Sequence, residues 1–254
     1  MNNKLKFLVI LGVCAFTCPN SWAITLDSFA FTEFRRVDLN PGMNFSEVLQ
    51  GQGAFGGTRS VEVQNTSNGS YDPEFTPGER IGQNFGAFAL NPNLGGSGNA
   101  LLTYDGDNEV GLTSFDNFVL DLTQSGATQV EFLALYDFEP PQNPFEVEFT
   151  FYDASDATGN TFSQGSVFIT ENNESFANPS IFALAFADLN RIGSNGAADL
   201  ANIGAFSIGL IGENALSSEF AIANVQTNEV PEPGTMMLLG ASLLAGARRK
   251  YSKS

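Results

Sequence analysis

Two glutamates spaced two apart, Glu146 and Glu148, are the residues of this sequence best placed to do chemistry. They lie in Phe145-Glu146-Val147-Glu148-Phe149-Thr150-Phe151-Tyr152, where apolar and polar residues alternate. In an extended chain, alternate residues share a face and stand about 7 Å apart. Carboxylates about 5–9 Å apart are what glycoside hydrolysis requires. With 27 acidic residues between positions 24 and 230, pairs at that spacing also arise by chance, and a solvated acidic face is the plainer reading. Tyr152 falls on the same face, where a phenol ring can stack on a sugar while its hydroxyl stays wet. Tyr104, Tyr71 and Tyr136 are the other amphipathic aromatics of this stretch, since the only tryptophan, Trp22, lies near the start. Tyr152, Glu146, Glu148 and Tyr104 are therefore the candidate glycan-binding residues.

A second cluster, Asp105-Gly106-Asp107-Asn108-Glu109, could gather oxygen ligands for calcium through Asp105, Asp107 and Glu109. It is not an EF-hand, because Val110 stands where that loop needs a glycine. Asp27, Asp188 and Asp199 are further oxygen donors without a fixed spacing. Gly51-Gln52-Gly53-Ala54-Phe55-Gly56 spells a dinucleotide-binding pattern, but the strand-like Thr58-Arg59-Ser60-Val61-Glu62-Val63 follows it. A dinucleotide site needs a helix there, so the glycines read as a turn.

Between residues 24 and 230 there is no histidine, lysine or cysteine. That removes Ser-His-Asp and Cys-His catalysis, Schiff-base chemistry and zinc held by imidazole or thiolate. The same stretch holds five basic and 27 acidic residues, a formal charge of −22. Such a surface repels phosphate backbones, which argues against a nucleic-acid partner. No catalytic residue is assigned, and the domain is expected not to be an enzyme.

The elements that would position these residues are strands. Period-two patterning predicts them at Leu26–Phe31, Arg59–Gln64, Phe85–Leu90, Phe115–Leu122, Val130–Phe138, Phe145–Tyr152, Val167–Thr170, Ile181–Phe186, Gly204–Ile211 and Phe220–Gln226. Turn-forming residues separate them, among them Asn-Pro-Gly at 40–42, Gly-Gly at 56–57 and Glu-Pro-Pro at 139–141. Many short strands without a long helix predict an all-β fold, a single antiparallel β-sandwich of jelly-roll type over 24–229.

Each end carries a signal. In residues 1–23, Lys4 and Lys6 precede an apolar run from Leu5 to Phe16, and Ser21 and Ala23 suit a signal peptidase, so cleavage before Ile24 is expected. Cys14 and Cys18 leave with that segment; Val13 and Thr17 precede them where a lipidated cysteine needs a small neighbour. At the other end, Val230-Pro231-Glu232-Pro233 is followed by an uncharged stretch, Gly234 to Ala247, and then Arg248-Arg249-Lys250. A helix over that stretch would be roughly 21 Å long at about 1.5 Å per residue, short of a hydrocarbon core of about 30 Å. Local thinning and snorkelling of the flanking cations close the gap, and the cations remain cytoplasmic.

This tail, residues 230–254, resembles the PEP-CTERM sorting signal of Gram-negative bacteria. The resemblance implies processing near Pro-Glu-Pro by exosortase, a membrane transpeptidase-like enzyme, after transient anchoring in the inner membrane. It also implies a secreted or cell-surface protein in an exopolysaccharide or biofilm matrix. Gly-Gly-Thr-Arg-Ser-Val-Glu-Val, Ala198-Asp199-Leu200 before Ile203-Gly204-Ala205-Phe206-Ser207-Ile208, and Ile222-Ala223-Asn224-Val225 are similar to galactose-binding-like jelly rolls. Ala223 stands where many such modules have an aspartate, which sets aside a ligand role for that strand. The resulting expectation is a non-enzymatic exported matrix protein. A carbohydrate-binding module for the cell's own polysaccharide is the alternative, and a carboxylate-pair glycoside hydrolase the third reading.

Overall fold

The structure is a computed structural model that describes residues 23–29, 35–36, 43–50, 54–66, 71–76, 87–92, 97–115, 118–137, 144–169, 180–212 and 219–228. The export segment before Ala23, the sorting tail and the Asn-Pro-Gly at 40–42 lie outside the described residues. Fourteen strands follow in order: β1 (Thr25–Asp27), β2 (Arg35–Arg36), β3 (Asn44–Gln50), β4 (Thr58–Asn65), β5 (Tyr71–Thr76), β6 (Ala87–Pro92), β7 (Gly98–Tyr104), β8 (Gln129–Asp137), β9 (Phe145–Asp153), β10 (Phe162–Ile169), β11 (Ser180–Ala185), β12 (Arg191–Ile192), β13 (Ile203–Ile211) and β14 (Glu219–Thr227). Two three-residue 3-10 turns, Gln124–Gly126 and Phe186–Asp188, are the helical pieces among the described residues. None of the described residues forms a helix long and apolar enough to cross a membrane.

The strands make two antiparallel sheets of seven. The first runs β11-β8-β14-β6-β5-β2, with β1 also paired to β14; the second runs β12-β10-β9-β13-β7-β4-β3. One apolar cluster holds residues of both sheets, including Phe88, Phe132 and Phe220 from the first and Phe149, Phe206 and Leu102 from the second. The sheets therefore pack face to face as the expected β-sandwich. Alternation explains which face each residue takes. On β9, Phe145, Val147, Phe149 and Phe151 are buried, while Glu146, Glu148 and Tyr152 point to the other side and remain partly exposed.

Of the predicted strand over Phe115–Leu122, the described residues 115 and 118–122 form no strand; Leu120 makes a single bridge to Ile203. Phe115 lies where two glycines leave room. A Cβ on Gly159 would meet its ring at 2.3 Å, and one on Gly204 would meet its carbonyl oxygen at 1.7 Å. Strands β3, β5 and β7 occur where none was predicted. At Gly56 and Gly57, φ values of 81° and 82° make the turn that leads into β4, as the reading of those glycines required.

Candidate functional site

The outer face of the second sheet carries three of the predicted residues, Glu146, Glu148 and Tyr152, in register with their neighbours across its strands. In one crosswise row stand Ser60 on β4, Thr103 on β7, Ser207 on β13, Thr150 on β9 and Gln164 on β10. The next row, toward one end, is Glu62, Leu101, Gly209, Glu148 and Ser166. One step further, Ile211, Glu146 and Phe168 line up. On the other side of the hydroxyl row stand Ala205, Tyr152 and Phe162.

The hydroxyl row faces outward yet is buried. The segment after β7 crosses above it, with the Gly111 N–H donating to Ser60 Oγ at 3.1 Å. Tyr152 lies over the row, hydrogen-bonded to Ser207 and Thr150. Its ring packs beside Phe115 at 5.5 Å and Phe162 at 5.9 Å between centroids, and all three rings are half-buried. Burial pushes the Tyr152 phenol up, Glu148 pushes it further, and the two hydroxyls pull it down.

Gln164 closes this corner. Its Nε2 donates to Thr150 Oγ1 at 2.9 Å, while its Oε1 is buried and has no hydrogen-bond partner among the described residues. Thr103 Oγ1, in the same row, is in the same condition. A buried polar atom left unmet costs about 1–3 kcal/mol, so both atoms are unfavourable as they stand. Glu148 is held at the rim by Arg191, whose Nη1 donates to Oε2 at 3.5 Å. Burial raises the Glu148 carboxyl above its ordinary value; Arg191 lowers it and Glu146 raises it.

Of the residues expected from the sequence, Glu146, Glu148 and Tyr152 share this face, as alternation requires. Tyr104 does not. It is in phase with Ala100 and Leu102, so its ring lies inside the sandwich, stacked on Phe206 at 4.3 Å. There its hydroxyl donates to Asp27 Oδ2 at 2.7 Å, and the ring is closed to any sugar. Tyr71 and Tyr136 have side chains outside the described residues.

The calcium cluster is not assembled either. Asp105 is buried and accepts from the backbone N–H groups of Asp107 at 3.3 Å, Thr113 at 2.9 Å and Ser114 at 3.3 Å. Asp107 accepts from the Glu109 N–H at 2.8 Å and from the Thr113 hydroxyl. These carboxylates fix a turn, and no group of three metal-ligating side chains occurs among the described residues. Asp27 is committed elsewhere: its Oδ1 meets Arg59 Nη2 at 2.9 Å inside the core. Phe115, Phe162, Gln164 and Arg191 were missed by the sequence reading. Phe162-Ser163-Gln164-Gly165-Ser166 does not alternate apolar with polar residues, so no local signal marked Phe162 or Gln164.

No curated protein matches the chain. Among solved structures it is similar to the family 11 carbohydrate-binding module of the cellulosomal cellulase Lic26A-Cel5E of Clostridium thermocellum, at 11% identity and a TM-score of 0.36, over 84% of this chain and 97% of that one. The family 30 carbohydrate-binding module of cellulase Cel9D-Cel44B of the same organism aligns at 13% identity and a TM-score of 0.40, over 77% and 98%. The enzymatically active domain of tailspike protein 4 of bacteriophage CBA120 aligns at 12% identity and 0.34, over 83% of this chain and 21% of that one. Residues 229–250, just beyond the last described strand, match the PEP-CTERM protein-sorting motif, and the chain thus carries the sorting signal that its Pro-Glu-Pro tail resembles.

Proposed function

We propose that this is an exported surface protein, sorted by exosortase, whose sandwich binds glycan on the outer face of the second sheet without catalysing a reaction. Signal peptidase frees Ile24, the tail anchors the chain transiently in the inner membrane of a Gram-negative cell, and exosortase releases it near Pro231-Glu232-Pro233. The bound polymer is then the cell's own exopolysaccharide.

The observation that carries the binding role is the corner built by Tyr152, Phe162 and Phe115 beside Gln164, Glu148 and Arg191. Half-buried rings next to an unmet amide oxygen and an ion pair are the groups a pyranose needs, since it offers an apolar face and a rim of hydroxyls. Affinity electrophoresis of the full chain in neutral detergent, against a set of embedded polysaccharides, tests it. Retention by at least one polymer, weakened about tenfold by Tyr152→Ala, is expected, equivalent to about 1.4 kcal/mol. A wild-type chain retarded by none contradicts the reading. Release of reducing ends that stops in Glu148→Gln would favour the hydrolase instead. Mass spectrometry of the mature protein tests the sorting half: ends at Ile24 and near Pro231 are expected, and an intact tail on a cytoplasmic chain contradicts it.

A further inference from the structure

We propose that the ligand of this face is an uncharged, hydroxyl-rich polysaccharide and that Gln164 accepts one of its hydroxyls; the inference rests on the glycan reading given above.

The charge on the face comes first. Glu62, Glu148 and Glu146 all project from it, spread over β4 and β9. The described cation beside them is Arg191, already paired with Glu148. Arg59, next to Ser60 in sequence, contributes nothing outside because it is turned into the core and bound to Asp27. A polymer bearing carboxylates or sulfates would meet three like charges and one engaged cation. Like-charge juxtaposition is how a surface rejects a partner.

The hydrogen-bonding chemistry points the same way. Gln164 is buried, 9% exposed, and its amide nitrogen is committed to Thr150. What remains is Oε1, which can only accept. A sugar hydroxyl donates to it, whereas an ionised carboxylate or sulfate oxygen cannot. Thr103 Oγ1 does not discriminate, because a hydroxyl both donates and accepts. Gln164 therefore favours a ligand with a hydroxyl to donate, and the three glutamates are what set an anionic polymer at a disadvantage.

The test is retention of the full chain in neutral detergent on mixed-linkage β-glucan, galactan and mannan, each beside its own carboxymethylated derivative. Binding to at least one neutral polymer, about tenfold weaker on its carboxymethylated partner, is expected. Gln164→Met removes the acceptor and should weaken neutral binding about five- to tenfold. Gln164→Asn keeps an uncharged amide acceptor on a shorter arm and should recover part of the loss at unchanged stability, which a merely structural role would not produce. Equal or stronger binding of the carboxymethylated polymer overturns the inference and leaves the glycan site standing. So does a Gln164→Met chain that binds like wild type, or a Gln164→Asn chain as weak as Gln164→Met. Binding to neither class removes the site itself. Should Gln164→Met fail to fold by near-ultraviolet circular dichroism, the matched polymers on the wild-type chain still decide.

Discussion

A carboxylate, a guanidinium and a phenol meet at each face of the second sheet, the inner carboxylate being Asp27 from β1 of the first sheet, and the two trios behave in opposite ways. Inside, Asp27, Arg59 and Tyr104 close on one another, with the ion pair at 2.9 Å and both of its side chains 0% exposed. Asp27 also accepts from the Phe29 N–H at 2.6 Å, and the Arg59 guanidinium lies 5.1 Å from the Phe29 ring centroid. Outside, Arg191 and Glu148 are 3.5 Å apart with 69% and 23% of their side chains exposed, and Tyr152 leans on hydroxyls rather than on the carboxylate. The inner groups bond to one another out of reach of solvent and hold β1 to β4 and β7. The outer groups stay partly open to solvent. Chemistry alone does not separate the two trios; burial does.

Breaking the inner trio should have the largest effect. Asp27→Asn leaves the buried Arg59 charge without its counterion and should cost about 3–5 kcal/mol, read by urea unfolding. Replacing the pair together, Asp27→Leu with Arg59→Met, should recover most of that loss, because two apolar groups need no solvation. A double variant as unstable as the single one would mean that the pair does more than satisfy itself.

The acid response sharpens the contrast between the face and the turns around it. Glu148 is raised by burial, so its protonated form is favoured in the fold. Its contribution is most favourable below 4.5 and is lost as pH climbs from there through its folded value. Asp156 goes the other way: Thr158, Thr161 and Asn195 donate to it and hold it well below the ordinary 3.8. It supports the fold above 3.8 and stops doing so as pH falls through its folded value. Thermal melts against pH should therefore show Glu148→Gln more stable than wild type at neutral pH, the gain vanishing in acid. Asp156→Asn should be less stable at neutral pH, with the difference closing in strong acid.

The smallest effect belongs to the outer ion pair. Arg191→Ala should change stability by no more than about 0.5 kcal/mol, since exposed pairs contribute little. A loss near that of Asp27→Asn would erase the distinction drawn here.

Much of this was legible in the sequence. Alternation put Glu146, Glu148 and Tyr152 together on one face of their strand; the same rhythm runs through Arg59, Val61 and Val63, but no inward arginine was read from it. It could not show where the inward arginine finds its charge, because Asp27 and Tyr104 are 32 and 77 residues from their partners. Strand β7 escaped because Leu101 and Leu102 break the apolar-polar rhythm, and Leu101 turns out to lie on the exposed face. Strand β3 escaped because Glu47 occupies an inward position opposite Val61. Phe115–Leu122 misled for the opposite reason: its pattern suits a strand, but the space left by Gly159 and Gly204 draws Phe115 against Tyr152. Gln164 and Arg191 reach the site through pairing of β10 with β9 and β12, which no local pattern reveals.

The proposed glycan site is the outer face of the second sheet. Amide-detected nuclear magnetic resonance of the full chain in micelles, titrated with a retained neutral polysaccharide, tests this most directly. Saturable shifts should gather at Glu148 to Tyr152, Phe162 to Ser166 and Arg191, leaving Asp27 and Tyr104 still. Shifts confined to the first sheet, or to the turn at Asp105 to Glu109, would contradict it.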